Sequence, residues 1–126
     1  MSRPRILLAD DHLAMLETEV VLLSPHFDVV GTTTDGHSLV SEALRLNPDL
    51  IVADITMPVL NGIEAACELR KSGCAAKFVF LTVHSEEEFV EACMNTGALA
   101  YVKKSAMRDH LVPAIKAALA GQSYFP

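Results

Sequence analysis

The chain has 126 residues, is 51% hydrophobic, and carries 16 acidic against 10 basic side chains for a formal charge of −6. This is one domain's worth of sequence with enough apolar content for a core, which excludes a disordered chain. The acidic balance argues against a surface that itself grips nucleic acid or an anionic membrane, and no apolar run approaches the ~20 residues of a membrane helix.

Apolar runs alternate with helix-period segments along the chain. The first run, Ile6–Ala9, is too short for a secretory signal, so a cytoplasmic location is expected. Leu13, Leu16, Val20 and Leu23 then share a predicted helical face, closed by Pro25. Val29–Val30, with Thr32–Thr34 following, predicts the second strand. Leu39, Ala43 and Leu46 form the next helical face, ended by Asn47-Pro48. Leu50–Ala53 predicts the third strand, and Ile63, Ala66 and Cys67 a helix ended by Gly73. Phe78–Leu81 predicts the fourth strand. Ser85 is the expected N-cap of a helix that begins with Glu86-Glu87-Glu88, buries Phe89, Cys93 and Thr96, and ends at Gly97. Ala100–Val102 predicts the fifth strand, and Leu111, Ile115 and Ala118 the core face of a last helix ended by Gly121. Strands without polar alternation suit a parallel sheet covered on both faces. Five βα units predict a doubly wound α/β fold. Cys67, Cys74 and Cys93 are odd in number and not at metal-binding spacing, so they read as reduced thiols.

Asp10 and Asp11 follow the first strand, Asp54 follows the third, Thr82 ends the fourth and Lys103-Lys104 ends the fifth. All fall at the carboxyl edge of one sheet, where open α/β sheets bind ligands. In the strand order 2-1-3-4-5, strands 1 and 3 are neighbours and the three aspartates converge. Two unit charges 4 Å apart repel by ~4 kcal/mol at an effective dielectric near 20, so either one carboxylate takes a proton or a cation joins them. Magnesium, which takes one or two carboxylates and leaves room for a phosphate, suits the set best. No His or Cys is expected to favour a softer metal. A lysine opposite the metal would complete a clamp for a transferring phosphoryl group, with a carboxylate as candidate nucleophile. Simpler readings exist. Asp11 suits a helix N-cap, Thr82 suits a strand, and Tyr101 suits a sheet edge. Lys103 and His12, His26, His37, His84 and His110 are expected in solvent.

The run Ile6-Leu7-Leu8-Ala9-Asp10-Asp11-His12, then Leu50-Ile51-Val52-Ala53-Asp54-Ile55-Thr56-Met57-Pro58, Asn61-Gly62, Leu81-Thr82 and Tyr101-Val102-Lys103-Lys104, resembles the receiver domain of two-component response regulators. The ending Ala117–Phe125 resembles the NarL/FixJ (LuxR-type) branch. The resemblance implies a flavodoxin-like, CheY-like (βα)5 fold of order 2-1-3-4-5. It implies Asp54 as phosphoacceptor from a histidine kinase, with Asp11 a direct Mg2+ ligand and Asp10 acting mainly through water. The Thr56 carbonyl would be a further metal ligand, Lys104 the phosphate-binding lysine, Thr82 the hydroxyl that bonds the phosphoryl group, and Tyr101 the aromatic that repacks with it. Ser105 stands where the family often has proline. Val83 and His84 lie where they could meet water approaching the phosphoryl group.

These features divide the chain into a receiver over residues 3–121 and a tail or linker start over 122–126. Such a domain is a signalling module rather than an enzyme, beyond its own phosphotransfer and autodephosphorylation. A DNA-binding part outside this chain is expected to supply transcription output. Homodimerisation is expected through helix five, or through helix four, strand five and helix five. The alternatives are a stand-alone receiver that docks on another protein and a phosphate-independent pseudo-receiver. A dehalogenase-type phosphatase would need an aspartate where Thr56 stands. A flavodoxin-type carrier would need a phosphate loop where Asp10 and Asp11 stand.

Overall fold

A computed structural model describes residues 3–84 and 86–125. Five strands alternate with five helices: β1 (Arg5–Ala9), α1 (Leu13–Leu23), β2 (Asp28–Thr33), α2 (Gly36–Leu46), β3 (Leu50–Ala53), α3 (Gly62–Lys71), β4 (Lys77–Thr82), α4 (Glu87–Asn95), β5 (Ala100–Lys103) and α5 (Met107–Leu119). A 3-10 turn, Lys104–Ala106, links β5 to α5. The strands are all parallel in the order β2-β1-β3-β4-β5, as expected. The expected N-cap Ser85 lies outside the described residues.

The sheet separates two apolar interiors. Ile6, Leu8, Val52, Leu81 and Val102 face one side with Leu16, Leu23, Leu111 and Ile115 of α1 and α5. Leu7, Ile51, Ala53, Phe80 and Tyr101 face the other with Leu39, Ala66, Leu69 and Cys93 of α2, α3 and α4. The alternation of side chains along a strand produces this division, and burial on both faces explains the unbroken apolar runs Ile6–Ala9, Leu50–Ala53 and Phe78–Leu81.

Local chemistry fixes the helix ends. The Asp35 carboxylate accepts from the Ser38 N–H at 2.7 Å, which starts α2 and holds the Asp35 carboxyl below its ordinary range. Asn61 and Glu64 form a reciprocal capping box on α3, at 2.8 and 3.0 Å. Asn47 ends α2 in the left-handed region at φ 50°.

Two helical faces differ from expectation. Leu13 is 67% exposed, and Glu19 is buried on α1 beside Leu16 and Leu23. The face of α1 turned to the core therefore runs through 16, 19 and 23, a row at helical spacing that leaves the first turn in solvent. Cys67 is exposed while Ala65 and Ala66 are buried. Within residues 122–125, expected as a tail or linker start, Tyr124 bridges to Ala100 in parallel.

Candidate functional site

The sheet ladder carries the acidic residues one step past their strands. The Asp10 N–H donates to the Thr33 carbonyl at 3.0 Å and the Asp54 N–H to the Ala9 carbonyl at 2.9 Å. Both side chains are therefore anchored by backbone pairing at the sheet's carboxyl edge. Asp10 is 1% exposed and Asp54 4% exposed. Gly62 closes the floor: its N–H donates to the Ile55 carbonyl at 2.7 Å, and a Cβ there would lie 2.0 Å from the Asp54 carbonyl oxygen. Only glycine lets α3 approach so closely.

Lys104 reaches the acidic residues from the 3-10 turn that follows β5. Its Nζ lies 2.7 Å from Asp10 Oδ2 and 3.0 Å from Asp54 Oδ2. Burial would lower the lysine pKa, but the hydrogen bonds to Asp10 and Asp54 outweigh it and hold the ammonium above its ordinary range. Lys103, the last residue of β5, is exposed. The turn separates the two lysines: the strand ends at 103, and the 3-10 backbone brings 104 to Asp10 and Asp54. No peptide bond among the described residues is cis, Lys104–Ser105 included.

Asp10, Asp11, His12 and Asp54 each place one ligand atom within 4.8 Å of the others. Asp11 is exposed, and Asp54 Oδ1 is buried without a hydrogen-bond partner among the described residues. A buried, unpaired carboxylate oxygen beside two further carboxylates is a donor set that fits a hard cation. The helix-cap alternative for Asp11 does not match: His12 occupies the N-cap, and its N–H donates to Asp10 Oδ1 at 2.9 Å. His12 also borders the cluster. Its ring is 72% exposed, yet Nδ1 reaches Asp11 Oδ1 at 3.1 Å and Asp10 Oδ1 at 3.3 Å, so an imidazole does border the acidic cluster.

Thr82 and Tyr101 are not members of these ion pairs. Thr82 is fully buried, and its hydroxyl oxygen accepts from the His84 N–H at 3.2 Å. Tyr101 is 4% exposed in the interior facing α3 and α4, with Oη unpartnered among the described residues and burial pushing its phenol up to about 12. Thr56 is exposed, and its Oγ1 pairs with His84 Nε2 at 2.8 Å. The His84 ring stacks on Phe89 at 4.3 Å and 18°. His84 is therefore a bridge between loops, not a solvated side chain, while Val83 beside it is 70% exposed. His12, His26 and His37 are exposed as expected. His110 is half-buried and bonded to Tyr124.

The sequence reading missed Glu19. It is 1% exposed, its Oε2 has no partner among the described residues, and its pKa is pushed up to about 8 by burial first and then by Asp10 and Asp54, against a lowering by Lys104. The available signal was its place in the helical row between Leu16 and Leu23.

Residues 6–116 match the family described as response regulator receiver domain. The chain is 34% identical over 122 residues to the transcriptional regulatory protein DegU of Brevibacillus brevis, covering 95% of this chain and 52% of that protein. It is 35% identical over 120 residues to the nitrate/nitrite response regulator protein NarL of Escherichia coli K12, covering 93% and 55%. The chain spans about half the length of these curated relatives. Among solved structures, it resembles a LuxR-family two-component response regulator from Aurantimonas sp. SI85-9A1 with TM-score 0.92 at 34% identity, covering 98% of this chain and 89% of that one. It also resembles the signal receiver domain of the putative response regulator NarL from Mycobacterium tuberculosis, with TM-score 0.92 at 25% identity, covering 97% and 100%.

Proposed function

The chain belongs to the response regulator receiver domain family, and from that premise we propose that it takes a phosphoryl group from a histidine kinase onto Asp54. The observation that supports this most is the shared ion pair of Lys104 with Asp10 and Asp54, beside an Asp54 oxygen that has no partner. Oδ2 is held by the ammonium, so the carboxylate is oriented while Oδ1 keeps its lone pairs. An Asp54 oxygen attacks phosphorus, and the phosphorus–nitrogen bond of the donor phosphohistidine breaks. The imidazole leaves with the electron pair and takes up a proton. Hydrolysis reverses the modification: water adds to phosphorus, the Asp54 carboxylate leaves, and inorganic phosphate is released.

Asp11, Asp54 and the Thr56 carbonyl would hold Mg2+, with Asp10 contributing through water; His12 stands at the rim. The ion would offset the charge that the phosphoryl oxygens and carboxylates bring together. Lys104 exchanges its bond to Asp54 Oδ2 for the phosphoryl oxygens. Thr82 offers its hydroxyl to the same group, and Tyr101 repacks with it.

The receiver unit is residues 3–121. The name of the Brevibacillus relative describes a transcriptional regulatory protein, and both relatives are roughly twice this chain's length, which supports an output through a DNA-binding part outside this chain. A −6 receiver does not itself suit a phosphate backbone. Homodimerisation through α5, or through α4, β5 and α5, is the accompanying proposal; Val112 and Leu119 on α5 are half-buried at the margin of the core. No described helix is long and apolar enough to cross a membrane.

Incubation with acetyl phosphate and Mg2+, followed by intact mass measurement, tests the assignment. The parent gains one hydroxylamine-labile phosphoryl group and Asp54→Asn does not. Equal modification of both proteins would overturn it.

A further inference from the structure

β5 is the last strand of the sheet, and residues after α5 cover its free edge. The Tyr124 N–H donates to the Leu99 carbonyl at 2.8 Å, and the Tyr124 carbonyl accepts from the Tyr101 N–H at 3.2 Å. These groups would otherwise form an open pairing edge. Tyr124 packs against the interior shared by α1 and α5, and Phe125 against the interior shared by α3 and α4. The two side chains straddle β5 as successive strand residues do. Tyr124 Oη also meets His110 Nδ1 of α5 at 2.6 Å, with the rings 5.9 Å apart.

This seat is built but small. It consists of a single parallel bridge, and both aromatic side chains are only half-buried. Its partner is Tyr101, whose backbone is bonded to Tyr124 and whose side chain lies in the interior that Phe125 contacts. The buried Tyr101 hydroxyl has no hydrogen-bond partner among the described residues. An unsatisfied buried hydroxyl marks a side chain with something to gain from rearranging.

We infer that residues 122–125 are a detachable added strand that reads the state of the acidic pocket through Tyr101 and leaves the β5 edge when Tyr101 rearranges. The inference rests on the proposed phosphoacceptor role of Asp54 and on the proposed repacking of Tyr101. Linkage makes it reciprocal: whatever is released by occupation of the pocket must, when removed in advance, favour that occupation.

The test uses the full chain with Mg2+ and beryllofluoride, a phosphoryl analogue. Fluorine NMR reports binding and amide hydrogen exchange reports the strand. Bound analogue should speed exchange of the Tyr124 and Tyr101 amides about tenfold, and the double variant Tyr124→Ala, Phe125→Ala should bind the analogue about fivefold or more tighter, both within the usual range of allosteric coupling. Unchanged exchange at Tyr124 with analogue bound, or a double variant with the parent's affinity, overturns the inference and leaves Asp54 standing. Failure of the analogue to bind overturns the Asp54 assignment and the inference together.

Discussion

Thr56 and His84 are joined by a 2.8 Å hydrogen bond that ties the loop after β3 to the loop after β4. The same imidazole lies flat on Phe89 in the first turn of α4. One side chain thus connects the stretch following Asp54 to the helix beyond Thr82. A stacked aromatic pair and a hydrogen bond each contribute about 1 kcal/mol. His84→Ala should therefore raise amide exchange at Phe89 and Val90 by about fivefold to thirtyfold while leaving β1 and β3 unchanged. Equal protection in parent and variant would show that the bridge holds nothing.

Lys104 is the cation that Asp10 and Asp54 share. Lys104→Met leaves two buried carboxylates facing each other, a loss of about 3 kcal/mol or more. The urea midpoint at neutral pH should fall accordingly. Added Mg2+ should recover part of it by binding the folded state. A midpoint equal to the parent's would show that the ion pairs contribute no net stability.

Glu19 gives the fold a pH dependence. Its pKa rises from 4.5 to about 8 on folding, so between those values the folded chain holds a proton that the unfolded chain has released. Its contribution to stability is fully present below the lower value and is lost as pH rises through the upper one. At about 1.4 kcal/mol per pH unit, the loss is of the order of a few kcal/mol. Glu19→Gln should flatten the decline in urea-measured stability from pH 5 to pH 8 (about the window between the two values). A decline as steep as the parent's would assign it to other groups.

Gly62→Ala would push a methyl group to within 2.0 Å of the Asp54 carbonyl. The backbone must shift, at about 1–3 kcal/mol or more. The variant should lose stability and accept phosphoryl groups more slowly, both visible in one preparation by urea titration and intact mass. Parent-like values in both would mean that α3 simply moves outward.

Thr82→Ala removes a fully buried hydroxyl whose partner is the His84 N–H. Phosphorylation should persist, but its effect on α4 and β5 should shrink by about 1–3 kcal/mol of coupling. NMR shift changes in α4 and β5 equal to the parent's would exclude Thr82 from the switch.

The sheet order and the strand-end placement of Asp10, Asp11, Asp54 and Lys104 were legible because parallel strands buried on both faces leave continuous apolar runs, and polar residues mark where those runs stop. What stayed hidden depended on rotation and reach. Leu13 fits the apolar row by spacing, but it begins its helix and turns to solvent. Glu19 occupies a core position that its charge disguises. The histidines carry no pattern of their own: His12, His84 and His110 find partners two, twenty-eight and fourteen residues away, and only folding creates those meetings.

Leu7 and Leu8 are chain neighbours, yet each is fully buried in a different interior. The sheet is thus a party wall between two rooms with separate furnishings. A change of side-chain volume on the α1–α5 side reaches the α3–α4 side only by bending the wall itself, since well-separated sites perturb stability independently. The carboxyl edge, where Asp10 and Asp54 emerge, belongs to neither room. Either interior can therefore drift in composition through evolution while the wall keeps the acidic groups in register.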